Sequence, residues 1–314
     1  MGNRSLPMQR VLVTGASGFL GRQSVPMLLA AASDVHALVG SRQVPFPPGV
    51  QVHRCNLHDG QEVARLIARL RPTHLLHLAW NTAPGTFWTA PDNLDWLASS
   101  LHLVRCFAAQ GGRRLVIAGT CAEYQSGPEP LHETRTPCRP STLYGCCKQA
   151  LHVALDGYAR QEGLSLGWAR LFGLFGPFEQ PERMVASSLL ALLSGQPVRC
   201  TSGLQERDFL HVQDAARALV TFLQSGVEGP VNIGSGQAVS IRQLIQTLAD
   251  TVGGPASIEF GAWPLPCHEP PRVLADVGRL RDELGWTPAL TLSAGLADAA
   301  RWWREERCAG ASVS

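Results

Sequence analysis

The sequence predicts an α/β fold: a doubly wound parallel sheet covered by helices, with a smaller mixed α/β lobe toward the C-terminus. Three observations predict it. Apolar strand-like runs alternate with amphipathic stretches through the first half of the chain, the pattern of a parallel sheet buried on both faces. The first run, Val11-Leu12-Val13-Thr14, is followed at once by Gly15, Gly18 and Gly21 and then by a helical stretch. Beyond Gly176-Pro177 the pattern is less regular and richer in Pro and Gly, and 314 residues are long for one compact core.

Taken in order, strands are expected at Val11–Thr14, Val35–Val39, Val50–His53, His74–Ala79 and Leu115–Gly119. Helices are expected at Gly18–Ala32, Glu62–Leu70 and Leu94–Ala109 between them, then at Tyr144–Glu162, before a further buried strand at Leu166–Phe172. The C-terminal half reads as helices at Met184–Ser194, Gln213–Gln224, Ile241–Thr251 and Leu292–Arg304 separated by short strands. The expected organisation is a dinucleotide-binding domain over 1–176 and a substrate-binding lobe over 177–314, with the chain crossing back to the main sheet around 205–240. Residues 1–9 and 308–314 are expected to be loose ends.

Composition narrows the class. A hydrophobic fraction of 45% with 17% charged residues describes a well-packed globular chain, and a net charge of +2 without basic runs gives no reason to expect a nucleic acid or a membrane surface as partner. Nine cysteines are an odd number without repeated spacing, and adjacent Cys146-Cys147 do not form a zinc pair, so no metal is expected. With no signal segment and no apolar run of ~18 residues, reduced thiols in a cytoplasmic enzyme fit best.

The chemistry-bearing motifs are two. The glycine turn allows a backbone to approach a pyrophosphate closely, with a helix N-terminus supplying N–H donors; this makes the sheet Rossmann-type and places Gly15, Ser17, Gly18, Phe19, Leu20 and Gly21 at a dinucleotide. In Tyr144-Gly145-Cys146-Cys147-Lys148, tyrosine and lysine lie four apart and share one helix face. An ammonium beside a phenol favours the phenolate, so Tyr144 is a candidate for proton exchange near neutrality.

Together these motifs resemble the extended short-chain dehydrogenase/reductase family, the group of nucleotide-sugar epimerases, dehydratases and 4-ketoreductases, over nearly the whole chain. Arg207-Asp208-Phe209-Leu210-His211-Val212, Val231-Asn232-Ile233-Gly234-Ser235-Gly236 and Leu284-Gly285-Trp286-Thr287-Pro288 look like further family signatures. The resemblance implies a catalytic set of Thr120, Tyr144 and Lys148. Tyr144 exchanges the proton, Thr120 binds the carbonyl oxygen, and Lys148 holds the nicotinamide ribose. It also implies cofactor contacts at Asn56 and Leu57, where an Asp-Leu pair often meets adenine, and at Leu78, Ala79 and Trp80 beneath the cofactor. His77 reads as a packed strand residue. A homodimer through Leu94–Ala109 and Tyr144–Glu162 is a further implication.

Cofactor choice is read after the second strand. Leu38-Val39-Gly40-Ser41-Arg42 offers no acid for a ribose 2′-hydroxyl and places Arg42 within reach of a 2′-phosphate, so NADP(H) is favoured, with NAD as the alternative if Arg42 is a solvated loop residue. Substrate contacts are expected at Asn93, Cys121, Glu123 and Arg207. Arg207 suits a diphosphate, its alternative being an internal ion pair with Asp208 or Asp214. Asn93 is expected to replace an asparagine that often stands where Trp96 is. Glu123, in extended register, is expected to point away from Thr120, with a structural partner as the alternative to substrate. Trp80, Trp88 and Trp96 are candidates for stacking on a sugar or base, but aromatic residues in such numbers are more often core.

Dehydratases of the family carry an acid pair after the threonine, and Cys121-Ala122 stand there instead. A dehydratase is therefore not expected; resemblance to the ketoreductase branch, supported by Arg42, implies NADP-dependent reduction of the 4-keto group of a nucleotide-activated deoxysugar. An NAD-dependent nucleotide-sugar 4-epimerase is the alternative, and a non-catalytic cofactor-binding regulator is the third reading. Gly173 and Pro266, where the family carries Asn and Arg, leave open a substrate that is not a nucleotide sugar.

Overall fold

In the computed structural model the described residues are 9–31, 34–253, 257–266 and 269–311. In chain order the elements are β1 (Arg10–Thr14), α1 (Gly21–Ala30), β2 (Asp34–Val39), β3 (Gln51–Arg54), α2 (Gly60–Leu70), β4 (His74–His77), α3 (Asn93–Ala109), β5 (Arg114–Thr120), a 3₁₀ turn at Cys121–Glu123, α4 (Leu143–Glu162) and β6 (Ser165–Leu171). They continue as β7 (Gly173–Phe175), α5 (Met184–Leu193), β8 (Val198–Cys200), β9 (Glu206–His211), α6 (Val212–Gln224), β10 (Gly229–Ile233) and β11 (Ala238–Ser240). The last are α7 (Ile241–Val252), β12 (Ile258–Phe260), β13 (Arg272–Val273), α8 (Gly278–Asp282) and α9 (Leu292–Ala311). Two units form: Met1–Glu123 with Arg139–Arg170 and Ala216–Val231, and Tyr124–Cys138 with Leu171–Ala215 and Asn232–Ser314.

The first unit is built on a seven-stranded sheet in the order β10-β6-β5-β4-β1-β2-β3. The pairs β3–β2, β2–β1, β1–β4 and β4–β5 are parallel. Strand order reverses between β1 and β4, which makes the carboxyl ends of these two strands the switch point where such sheets bind ligands. Val11, Leu12, Val13, Val116 and Ile117 are fully buried, which is why β1 and β5 read as unbroken apolar runs.

Helix α2 shows how local sequence sets an element. Asp59 accepts from the Gln61 and Glu62 amides, Val63, Leu66, Ile67 and Leu70 form the buried stripe, and Arg71 ends the helix in the left-handed conformation. Thr142 caps α4 by accepting from the Gly145 amide, and Gly163 ends that helix. The α2, α3 and α4 stripes close over Leu12, Leu75, Leu115 and Ile117 in one core, where each fully buried aliphatic side chain is worth about 1.5–3 kcal/mol.

In the second unit β9 pairs with β11, β13 and β7, and parallel β8 and β12 form a separate ribbon. Its core joins α5, α7 and α9 through Leu189, Leu244, Leu248, Leu296 and Ala300. The signature stretches prove to be clamps within this unit. Asp208 is buried and accepts from the Ser235 amide (2.7 Å), the Ser235 hydroxyl (2.6 Å) and the amides of Gly236 (2.9 Å) and Ala275 (3.3 Å). Asn232 receives the Tyr124 hydroxyl at 2.7 Å and donates to the Leu131 and Asp276 carbonyls. Asp214 accepts from the amides of Ala289 and Leu290.

Several boundaries differ from expectation. Helix α1 starts at Gly21 rather than Gly18, because the Gly18 amide donates to the Gly15 carbonyl at 2.9 Å and keeps Gly15–Leu20 as a turn. The strand expected to reach Ala79 ends at His77. Helix α9 runs to Ala311, so the expected loose end from 308 is helical through 311; residues 1–8 and 312–314 lie outside the described residues. No described helix is long and apolar enough to cross a membrane.

The Asp208 clamp is testable. Asp208→Ala leaves the Ser235, Gly236 and Ala275 amides without their acceptor and is expected to lower stability by about 3 kcal/mol, read as the urea midpoint at unchanged slope.

Candidate active site

The switch point is shaped by the first glycine. Gly15 sits at φ +66°, and a Cβ there would stand 2.8 Å from the Ala79 amide nitrogen, so only glycine fits where the turn after β1 meets the end of β4. Ser17 is buried and Gly18, Phe19 and Leu20 are half-buried along the turn leading into α1. This close-packed cradle of backbone amides at a helix N-terminus is the arrangement that accepts a dinucleotide pyrophosphate, so the residues fit the cofactor that the motif predicts.

A buried relay supports the cradle from below. The Leu78 and Ala79 amides donate to the Thr14 hydroxyl (3.2 and 3.3 Å), which bonds His77 Nδ1 at 2.6 Å. His77 Nε2 meets the Ser100 hydroxyl at 2.9 Å, and Ser100 donates to the Trp96 carbonyl at 2.7 Å. With Ser100 donating onward, the chain is consistent only if His77 is neutral with its proton on Nε2. Burial, reinforced by the Lys148 charge, pushes His77 down to about 3 and enforces that state. His77 is thus a packed residue, as expected, and it ties β1, β4 and α3 together.

At the cofactor's outer end, Arg42 is exposed three residues past the end of β2. Asn56 is also exposed, but its side-chain oxygen accepts from the His58 amide at 3.1 Å and so serves its own turn. Leu57 lies in the core. Leu78 is half-buried, Ala79 is buried, and Trp80 is half-buried.

The 3₁₀ turn and the start of α4 meet at the residues that the resemblance singles out. A Cβ at Gly145 would come within 2.5 Å of the Ala122 carbonyl, so this glycine lets α4 press against the residues that follow Thr120. The Tyr144 amide donates to the Trp88 carbonyl at 3.1 Å. Around the Tyr144 ring stand Phe87 (4.9 Å between centroids), Trp88 (5.7 Å) and Trp80 (6.4 Å), all edge-on. Trp88 is well exposed and Phe87 is buried.

Lys148 is fully buried. Its ammonium donates to the Ala118 carbonyl at 2.8 Å, lies 3.8 Å from the Trp80 ring centroid and is 6.0 Å from that of Tyr144. Burial pushes it down to about 7, with Glu123 opposing. The expected ammonium effect on Tyr144 is therefore present below about pH 7 and fades above it.

Three residues expected at the substrate are held elsewhere. Glu123 does not follow an extended register: it closes the 3₁₀ turn, is fully buried, and accepts from the Thr120 amide (2.8 Å), Trp168 Nε1 (3.0 Å) and Arg170 Nε (2.8 Å). Asn93 is buried, accepts from Trp80 Nε1 at 2.8 Å and donates to the Phe87 and Ala90 carbonyls, so it positions Trp80 and the segment before α3. Arg207 pairs with Glu269 and donates to the Glu206 carbonyl, neither being the expected Asp208 or Asp214. Arg272 pairs with Glu206. Cys121, the fourth residue expected there, is half-buried one residue past Thr120. Among the described residues no group of three His, Cys, Asp or Glu side chains is placed to hold a metal.

Two outcomes follow from these buried charges. Removing one partner of a buried ion pair costs about 3–5 kcal/mol, so Glu123→Ala is expected to lose that much in denaturant unfolding and to release Thr120. Lys148 binds its proton up to about 7 when folded and to 10.5 by its ordinary value. The unfolded chain thus binds more protons between those limits, and this group's contribution to stability rises with pH there. Lys148→Met is expected to remove that rise from a series of urea melts.

Comparison with known proteins agrees with this geometry. Residues 11–234 match the model of the NAD dependent epimerase/dehydratase family. The chain is 31% identical to GDP-6-deoxy-D-mannose reductase of Pseudomonas aeruginosa, covering 92% of this chain and 95% of that protein. It is 26% identical to UDP-glucose 4-epimerase of Corynebacterium glutamicum, covering 90% and 92%. Among solved structures, Thermus thermophilus UDP-glucose 4-epimerase in complex with NAD superposes with a TM-score of 0.84 at 28% identity over 94% of this chain and 99% of that one. The glycine cradle at the switch point and the matched span from β1 to Gly234 lead to one assignment: this chain belongs to the NAD-dependent epimerase/dehydratase family.

Proposed function

We propose that this protein is an NADP-dependent reductase of the 4-keto group of a nucleotide-activated deoxysugar. Kinship to sugar-nucleotide epimerases, reductases and decarboxylases supports an NAD(P)-dependent enzyme of this kind. The observation that carries the narrower reading is the end of β2, where Arg42 is exposed and no carboxylate stands between Val39 and it. A guanidinium grips a 2′-phosphate, whereas the missing acid leaves a ribose 2′-hydroxyl without its usual partner. The relative that reduces a GDP-activated 6-deoxysugar supports the substrate class.

Gly15, Ser17, Gly18, Phe19, Leu20 and Gly21 would hold the pyrophosphate, Arg42 the 2′-phosphate, and Leu78, Ala79 and Trp80 the floor beneath the cofactor. When bound there, NADPH would supply the hydride for reduction at the sugar C4. Tyr144 gives the proton to the carbonyl oxygen and Thr120 hydrogen-bonds that oxygen as charge builds on it. Lys148 keeps Tyr144 in a polarised setting inside an otherwise apolar collar of Trp80, Phe87 and Trp88. Cys121 and Ala122 follow Thr120 without an acid, so water elimination lacks a proton carrier at those positions.

A 4-epimerase retaining NAD is the second reading, favoured by the UDP-glucose 4-epimerases among the relatives. It uses Thr120, Tyr144 and Lys148 in the same roles. A dimer through α3 and α4 is part of the proposal as the family resemblance frames it, its check being the solution mass.

Tyr144→Phe is expected to retain cofactor affinity and lose turnover by about 10²–10⁴-fold, measured as NADPH oxidation with a 4-keto-6-deoxysugar nucleotide. Arg42→Ala is expected to weaken NADPH by about 10- to 100-fold and NADH little, by fluorescence titration. Equal losses for both cofactors, or NAD retained through purification, turn the assignment to the epimerase.

A further inference from the structure

The least expected contact in the first unit is the one between Trp80 and the catalytic lysine. Lys148 is buried to 3% exposure, donates to the Ala118 carbonyl at 2.8 Å and lies 3.8 Å from the centre of the Trp80 ring. The acid whose charge favours its protonated form, Glu123, is already bonded to Thr120, Trp168 and Arg170. An ammonium out of water needs either a carboxylate or another source of negative potential, and an indole face supplies the second. The indole is itself fixed. Its N–H donates to Asn93 at 2.8 Å, and its ring stacks on Trp96 at 6.2 Å and stands edge-on to Tyr144 at 6.4 Å. Asn93 is buried and bonded through its amide nitrogen to two carbonyls of the preceding segment, so it has one orientation.

We propose that Trp80, pinned by Asn93, is a positioning residue whose indole face seats the Lys148 ammonium at the Ala118 carbonyl and thereby holds it for its part in proton exchange with Tyr144. This rests on the reading of Tyr144 and Lys148 as the reactive pair. It assigns the place on α3 where Trp96 stands instead of the family's asparagine to a dry aromatic support rather than a polar one. The charged or titratable groups around Lys148 are Tyr144 on its own helix, His77 on β4, and Glu123 after β5 with its partner Arg170 on β6. His152 lies one turn further along α4. Burial holds His77 and His152 far down, at about 3 and about 4, so neither changes charge near neutrality. Removing the indole face while keeping water out withdraws support from the ammonium and lowers its titration; opening the site to water raises it.

The chain makes the test clean, because Lys148 is its only lysine. Protein labelled with ¹³C-lysine gives one side-chain signal, whose shift is followed from pH 5 to 11. In the wild type the midpoint is expected near the value of about 7 that burial sets. Trp80→Leu is expected to lower it by about one pH unit, Trp80→Ala to raise it, and Trp80→Phe, which restores a π face, to bring it back toward the wild type. Asn93→Ala, which frees the ring without removing it, is expected to broaden and shift the same signal. Urea melts on each variant establish that it is folded, and a variant that fails is replaced in the comparison by Trp80→Met. An unmoved midpoint in the folded leucine variant overturns the proposal. Turnover of Tyr144→Phe separates the two layers. If it stays active while the lysine signal follows Trp80, the proton-donor reading falls and the seat stands. If it is inactive and the signal ignores Trp80, the seat falls alone.

Discussion

Much of the reactive geometry hangs on one buried carboxylate. Glu123 accepts from the amide of Thr120 on one side and from Trp168 and Arg170 on the other, so a single side chain locks the end of β5 to β6. Burial pushes its carboxyl up while Arg170 and the hydrogen bonds pull it down. Such a pair is a poor source of net stability, because desolvation of both ions consumes most of their attraction. Its value lies in geometry: it fixes the backbone at Thr120, and the turn that follows is what Gly145 allows α4 to approach.

Charge around the pair is managed by exclusion of water more than by opposite charge. Lys148, His77 and His152 are all pushed toward their neutral forms by burial. For His77 this serves the support of the cradle, since a neutral ring can both accept from Thr14 and donate to Ser100. For Lys148 it creates a group that gains and loses its proton near neutrality, which an arginine in the same place cannot do. Burial of the ammonium is the physical cause, with the Glu123 charge opposing it.

The second unit carries signature residues whose task is internal. Asp208, Asn232 and Asp214 each gather two or more backbone groups from distant loops, and Arg207 is neutralised by Glu269. Recurrent motifs in a sequence are thus compatible with clamps as readily as with ligand contacts, and the hydrogen-bond partners decide between them. Here the Asp208 and Asp214 carboxylates accept from backbone amides, and buried carboxylates require such donors.

The parallel sheet, its covering helices, the glycine cradle and the shared face of Tyr144 and Lys148 were legible from the chain alone. Each is encoded locally: a period of two or 3.6, a glycine where φ must be positive, a spacing of four on a helix. Element ends were less legible, as at Gly18–Gly21, because a turn and a first helical residue share the same composition. What only the tertiary structure decided is which polar side chains are free to act. Glu123 meets Trp168 across 45 residues, Arg207 meets Glu269 across 62, and Trp80 meets Asn93 across 13 and lies against Lys148. No local pattern specifies such partners. A side chain's hydrogen-bonding capacity is written in its residue type, but whether that capacity is already filled depends on what the fold packs against it.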